Sequence, residues 1–253
     1  MSKLILNENN YLLNVLKDHD KNKVDISETQ LAFLLTKKYR DYDKVIEEME
    51  KFNFEKYCEI KWYDTIHKFC DIVINYDLKL KNYEYIPLYE HELENIKKCK
   101  KDKYKKLLFT IYILARYKNK ELKNKDNFYR IDKTLLQKDL FDCANIRCTK
   151  KDKALMINEL WKDGYIEQSF INDDVSISVE LNNQGKEVMK ITNLDNLGNQ
   201  ILAYLKPNYK QCSICGKLIR IKGRNSQYCE QCLLKREKEL KQIRNQKYYE
   251  IHK

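Results

Sequence analysis

The chain has 253 residues and a mass of 30.7 kDa; 43% of its residues are hydrophobic, 34% are charged, and its net charge is +11. That apolar content excludes a wholly disordered protein, and only five Gly and two Pro argue against a loop-rich or β-sandwich fold. We therefore expect a mainly α protein with more than one small domain. The longest mostly apolar run, Leu107 to Ala115, is too short to cross a membrane. Because no signal-peptide core is apparent either, we expect a cytoplasmic protein with no membrane partner.

The positive charge is concentrated near the carboxyl end. Thirteen Lys or Arg and four Glu lie between Lys206 and Lys253, so this segment carries a net charge of +9 and the first 205 residues carry only +2. An AT-rich genome would explain abundant Lys, but it would not explain this segregation. Segregated positive charge is typical of a surface that binds a polyanion such as nucleic acid.

Residues 1–100 are predicted to form a helical region, because apolar residues recur there at spacings of three and four. Ser27, followed three residues later by Gln30, resembles a capping box that opens a helix, and Asp43 is expected to cap the next helix. The aromatic residues of this region, including Trp62 and Phe69, are expected to pack in the core. No recognisable chemistry lies in this region, which is a candidate surface for a protein partner.

Residues 101–195 are predicted to form a winged helix-turn-helix. The strongly apolar helix at Leu107 is followed by a helix that starts at Asp132, and a third helix, capped by Thr149, ends at Gly164. We expect Leu155, Met156, Leu160 and Trp161 of this third helix to face inward. The two strand-like runs that follow, 165–170 and 175–181, predict a β-hairpin wing. The pattern from Trp161 to Ile166 resembles the junction between the third helix and the wing in that family.

In a winged helix, the third helix enters the major groove of DNA with its amino-terminal end. This resemblance implies nucleic-acid contacts from the polar residues expected to face outward on that helix: Thr149, Lys150, Lys151, Lys153 and Asn158. Asp173 and Asp174 make the wing tip acidic, which does not suit contact with phosphate. Winged helices also serve as protein-docking modules, and that alternative stays open here.

The strongest motif consists of two Cys-x-x-Cys pairs after a predicted linker over 196–210: Cys212, Cys215, Cys229 and Cys232. Two residues between thiols allow both sulfurs to bind one ion at about 2.3 Å, and two such pairs complete a tetrahedron. We therefore expect a structural Zn²⁺ site, with redox-active or metal-free thiols as the alternative. A hairpin around Gly223 is expected between the pairs. A helix after the second pair would indicate a treble-clef finger, and its absence a zinc ribbon.

Residues 211–253 are thus predicted to be a small zinc finger followed by a basic helix from about Gln231 to His252. Candidate nucleic-acid contacts are Arg220 and Arg224 on the finger, and on the helix Lys235, Arg236, Lys241 and Arg244. The alternative for the helix is a solvated, charged tail.

As a whole, the chain resembles uncharacterised proteins from phages and mobile elements of low-GC Gram-positive bacteria. The matching residues are 115–117, 160–166 and the finger from Cys212 to Cys232. The resemblance implies a helical amino-terminal region, a winged-helix-like middle and a terminal finger, but no established activity.

We expect a zinc-stabilised DNA-binding protein, either a transcriptional regulator or a replication accessory of a phage or mobile element, with duplex DNA as its partner. If the partner were RNA instead, we would expect the protein to prefer single strands. The alternative is a non-enzymatic adaptor or inhibitor that binds a host protein. We do not expect an enzyme, because the sequence has neither a phosphate-binding glycine loop nor a nucleophile elbow.

Overall fold

The computed structural model describes residues 3–17, 19, 24–52, 54, 59–122, 128–131, 140–171, 174–181, 185–221 and 226–251. The protein is mainly helical, with small antiparallel sheets and a carboxyl-terminal cluster of four Cys. It divides into two compact units, Met1–Tyr85 and Ile86–Lys253, so the boundary lies earlier in the chain than the predicted one near residue 100. Within the described ranges, no helix combines the length and the apolar character that a membrane span requires.

The described part of the first unit has four helices: α1 (Glu8–Leu16), α2 (Glu28–Tyr39), α3 (Tyr42–Lys51) and α4 (Glu59–Asn75). Their apolar residues recur at helical spacing, and α2 brings them together because it packs against both α3 and α4. The buried core includes Leu12, Leu31, Leu35, Met49 and Ile66. Trp62 and Phe69 pack against this core, which confirms their predicted role.

Two helix caps of the first unit differ from the predictions. Ser27 accepts a hydrogen bond from the Gln30 amide (3.2 Å), but the Gln30 side chain binds both backbone polar groups of Lys3 (2.7 and 2.6 Å) instead of completing a capping box. The cap of α3 is Asp41, not Asp43, and it accepts from the Lys44 amide at 3.0 Å. The left-handed backbone of Arg40 ends α2 immediately before Asp41, which leaves room for only a very short turn.

The second unit begins with β1 (Ile86–Tyr89), α5 (Glu90–Lys98) and α6 (Asp102–Leu122). The break predicted at Ile86-Pro87 is a strand, and it pairs antiparallel with β5 (Glu187–Ile191). Helix α6 is buried around most of its middle, because α5, β1 and the later elements pack against it. A buried ion pair joins the two helices, with Arg116 Nη2 lying 2.5 Å from Glu92 Oε1.

A three-stranded antiparallel sheet follows α6, with the strands β2 (Phe128–Ile131), β3 (Glu167–Ile171) and β4 (Asp174–Glu180) in the order β2-β4-β3. The β3–β4 pair confirms the predicted hairpin, whereas β2 was not predicted. Helix α7 (Lys150–Lys162) begins at the predicted cap, Thr149, and is followed by a left-handed Gly164. Residues 140–143 are helical. The predicted start of that helix at Asp132 lies outside the described residues, as does Asp173 in the predicted wing tip.

The inward face of α7 differs from the prediction. Met156, Ile157 and Leu160 are buried, but Leu155 is 48% exposed and Trp161 is 45% exposed. Successive residues on a helix are 100° apart, so the stripe through positions 153, 156, 157 and 160 occupies the side that packs on the unit. Trp161 lies beside that stripe and Leu155 lies nearly opposite it, so the prediction that they face inward is wrong.

The chain continues with α8 (Leu197–Leu205), β6 (Tyr209–Gln211), β7 (Leu218–Arg220) and α9 (Glu230–Ile251). The segment 196–210, predicted as a linker, therefore contains a helix that packs closely on α6. Gly198 lets α8 approach both the turn after residues 140–143 and α6, because a Cβ at that position would lie 1.9 Å from the Ala144 carbonyl oxygen and 3.0 Å from Lys106 Cβ. Through α8, the four-Cys finger packs against the rest of the second unit.

Candidate metal centre

The sulfur atoms of Cys212, Cys215, Cys229 and Cys232 all lie within 4.8 Å of one another. The Sγ atoms of Cys215 and Cys229 are 3.7 Å apart. A tetrahedral zinc–thiolate site with bonds of about 2.3 Å has sulfur–sulfur edges of about 3.8 Å. The four sulfurs therefore fit a single tetrahedral ion, and this donor set suits Zn²⁺ without identifying it.

A tight turn shapes the first Cys pair. The Cys212 amide donates to the Lys217 carbonyl at 2.8 Å, and the Gly216 amide donates to the Cys212 carbonyl at 2.9 Å. Gly216 has a φ of 65°, a left-handed conformation that glycine adopts readily because it has no Cβ. Both thiols of the pair are thus directed to the same side of the turn.

The second Cys pair lies at the start of α9, where Cys229 precedes the first turn and Cys232 lies within it. Positive charge from the helix dipole at this end favours thiolate ligands. The Ser213 amide donates to the Gln227 carbonyl at 3.1 Å, and this bond links the backbones of the two pairs. A helix does follow the second pair, which is the order that the sequence analysis associated with a treble-clef finger.

The hairpin of the finger differs from the predicted one. Strand β7 pairs with β6, which precedes the first Cys pair, so that Tyr209 faces Arg220 and Gln211 faces Leu218. The sequence instead predicted a hairpin between the two Cys pairs. Gly223, its expected turn, lies outside the described residues. The strand that β7 pairs with, β6, lies directly before the first Cys pair, mostly within the segment that was predicted to be a linker.

The four thiols differ in pKa because they share hydrogen bonds. Burial by itself would raise the pKa of Cys212, but backbone N–H groups of Cys215, Cys229 and Ile214 point at its sulfur and bring the pKa down to about 6. The Cys229 amide makes one of these contacts, at 3.3 Å. Hydrogen bonds with the sulfurs of Cys229 and Cys215 raise the pKa of Cys232 to about 12. Backbone hydrogen bonding also lowers the pKa of Cys229, so the cluster already stabilises negative charge on two of its sulfurs, and a bound cation would stabilise the others.

The predicted contacts on α7 fall on two sides of the helix. Thr149 is the cap and accepts from the Asp152 amide, while Lys150 and Lys151 are exposed in the first turn. Asn158 is half-buried and lies two turns further along the side that carries Lys151. Lys153 points the other way, with its ammonium group 4.9 Å from the centre of the Phe141 ring.

The predicted contacts on the finger and α9 are mostly exposed, including Arg220 on β7 and Lys235, Lys241 and Arg244 on α9. These three α9 residues are distributed around the helix rather than gathered on one face. Arg236 stacks over the Tyr228 ring at 4.8 Å and donates to its hydroxyl group, so it is fixed to the finger. Arg224 lies outside the described residues.

Three residues that contact or support the finger were missed by the sequence analysis: Asn196, which directly precedes α8, Asn199 of α8, and Lys106 of α6. A signal for α8 was present, because Leu197, Ile201, Leu202 and Leu205 recur at helical spacing. The sequence carries no comparable signal for the role of the two Asn side chains.

Comparison with models of known protein families, with curated protein sequences and with solved structures finds no match for this chain. The structure is that of a mainly helical protein with a carboxyl-terminal four-Cys cluster that could hold a metal ion.

Proposed function

We propose that this protein is a zinc-stabilised DNA-binding protein, a regulator or replication accessory, whose second unit presents α7 to duplex DNA. The order of elements in this region supports a winged helix: α6, then β2, the helical residues 140–143, α7 and the hairpin β3–β4. The sheet order β2-β4-β3 places the strand between the first two helices next to the second strand of the hairpin. Such an arrangement packs one side of the third helix and leaves its other side free.

The observation that carries the proposal is the exposed face of α7, opposite its buried Met156, Ile157 and Leu160. Lys151, Leu155 and Lys162 are exposed along this face and the half-buried Asn158 lies among them, all within about 40° of one direction around the helix. Lys residues at the two ends suit phosphate contacts. Between them, an amide can bind adenine through two hydrogen bonds, and an apolar side chain can contact the thymine methyl group.

The finger supplies a second positive surface. Six Lys or Arg and no Asp or Glu lie between Lys206 and Cys229, whereas the residues from Glu230 onward include four Glu. Lys217 and Arg220 are exposed beside the Cys cluster. A bound metal ion would hold these cations on a fixed backbone, so we place the phosphate contacts of the tail on the finger rather than along α9.

The test is fluorescence anisotropy of the zinc-loaded protein with random duplex DNA, from about 50 to about 300 mM salt. Log affinity should fall by about 0.9 for each phosphate contact as log salt rises. Replacing both Lys151 and Lys162 by Glu should weaken binding more than tenfold. The slope of log affinity against log salt should also become less steep, by the amount expected for about two phosphate contacts. Lys68→Glu, the same charge change on an exposed position of the first unit, is the matched control and should leave affinity nearly unchanged. A double variant that binds like the control would remove α7 from the DNA interface.

A second candidate function is the adaptor, because apolar side chains are exposed on the first unit. Tyr63, Ile74 and Tyr76 of α4 and the turn after it are each more than half exposed. Such residues are typical of protein–protein interfaces. An absence of DNA affinity at the low-salt end, together with a complex that Tyr63→Ser and Ile74→Ser disrupt, would favour the adaptor over the DNA-binding protein.

A further inference from the structure

The amino-terminal end of α8 contacts the turn that carries the first Cys pair. The Asn199 side chain donates from Nδ2 to the Gly216 carbonyl at 3.1 Å, and its Oδ1 accepts from Lys106 Nζ at 2.9 Å. Asn199 is 2% exposed, so its amide is out of contact with water. A buried amide in this position is stable only when both of its ends are hydrogen-bonded, and here one end is paired with the metal-binding turn and the other with α6.

A second Asn fixes the same turn at close range. Asn196, whose backbone is left-handed (φ 53°), directs its Nδ2 towards the Cys215 carbonyl at 3.5 Å. A Cβ on Gly216 would lie 2.6 Å from that nitrogen and would displace the Asn196 side chain, and the positive φ of Gly216 (65°) would strain any residue other than Gly. Two successive carbonyls of the metal-binding turn, those of Cys215 and Gly216, therefore face the side-chain amides of Asn196 and Asn199 at the start of α8.

Lys106 connects this contact to the middle of the second unit. Burial lowers the pKa of the Lys106 ammonium group, and an acceptor such as Asn199 Oδ1 favours its charged form. A cation on one end of an amide polarises it and strengthens the hydrogen bond that the other end donates. A chain of two hydrogen bonds thus runs from α6 through Asn199 to the residue directly after a metal ligand.

We propose that Asn199 is a positioning residue of the metal centre, and that it couples metal binding to the packing of α8 on α6. The amide holds the Gly216 carbonyl in the position that directs the Cys212 and Cys215 sulfurs to one ion. Coupling of this kind is reciprocal, so metal binding also stabilises α8 in its place. The inference concerns the metal centre alone and is independent of whether the protein binds DNA.

The test is zinc affinity, measured by competition with a chromophoric chelator. Asn199→Asp keeps the acceptor for Lys106 but removes the donor to Gly216, and we expect it to weaken zinc binding about 10- to 100-fold, the range typical of residues that support metal ligands. Lys106→Met leaves the Gly216 bond in place and should cause a smaller loss. Asn208→Asp is the matched control, because Asn208 is exposed in the same segment, and it should bind zinc as the unmodified protein does.

A second measurement uses the unmodified protein, so that the proposal is tested even where a variant does not fold. Hydrogen exchange of the α8 amides should accelerate when zinc is removed by a chelator, because α8 loses its fixed contact with the turn. Equal zinc affinity in Asn199→Asp and Asn208→Asp would overturn the positioning role. Unchanged exchange of α8 after zinc removal would overturn the coupling. Neither result bears on the DNA-binding proposal, whose readout is affinity for duplex.

Discussion

The first unit and the finger are each stabilised internally, but by different interactions. In the first unit, large side chains such as Leu12, Leu35 and Met49 are fully buried between helices. Among the described residues of the finger, the buried core consists of three of the four candidate Cys ligands, with Ile219 and Tyr228 packed against them. Each Å² of apolar surface contributes about 25 cal/mol when it is buried, so the finger has little to gain from this source.

This difference indicates where each region obtains its stability. The finger is too small to bury a conventional core, and its ligands occupy the positions that apolar side chains fill in the first unit. A metal ion would provide the missing free energy, because binding to a site that exists only in the folded state is itself a source of folding free energy. The contrast makes three predictions, which differ in size.

The largest expected effect is that of metal removal. Structural zinc contributes about 10–16 kcal/mol in small zinc-finger peptides, so a chelator should unfold the finger, while the first unit, which contains no ligand, should remain folded. The readout is urea unfolding of a Trp161→Phe variant, in which Trp62 is the single remaining Trp and reports on the core of the first unit. If the chelator shifts the urea midpoint that Trp62 fluorescence reports, the first unit depends on the metal, and the proposed difference between the two regions is contradicted.

The next effect comes from the apolar core. Leu35→Ala removes a fully buried side chain of the first unit and should lower its free energy of unfolding by about 2–5 kcal/mol, with zinc affinity unchanged. Leu13→Ala, the same substitution at an exposed position of α1, is the matched control and should cost far less. Comparable losses from the two substitutions would show that this core is not what stabilises the unit.

The smallest effect concerns the close contact between α8 and the turn at Ala144. Gly198→Ala places a Cβ against the Ala144 carbonyl, and we expect a loss of about 1–3 kcal/mol from overpacking, although Ala is otherwise about 1 kcal/mol better than Gly inside a helix. This loss of stability can be measured by thermal unfolding, with circular dichroism as the signal. An increase in stability would mean that α8 shifts freely away from the turn, and would weaken the proposed coupling as well.

The sequence predicts some parts of this protein well, because their signals are local. The spacing of the Cys pairs identifies all four candidate ligands, and the helices of the first unit follow from apolar residues three and four apart. The hairpin β3–β4 is also local, since its strands are adjacent in the chain. In each case a few neighbouring residues carry the whole pattern.

The remaining features depend on contacts between distant residues. Strand β1 pairs with β5, about a hundred residues further along the chain, and β2 is too short for its periodicity to be recognised. Apolar residues lie almost all around α7, so only packing on the unit decides that Leu155 and Trp161 are exposed. Asn199 is an ordinary polar residue in the sequence, and its role arises from the positions of Lys106 and Gly216.

Helix α9 extends well beyond the finger from which it starts. Its 22 residues span about 33 Å, at about 1.5 Å for each residue, and Cys232 fixes its first turn to the ligand cluster. From residue 233 to residue 246, every side chain is exposed. An ion bound by four sulfurs at one end would therefore set the direction in which this long, exposed helix projects from the finger.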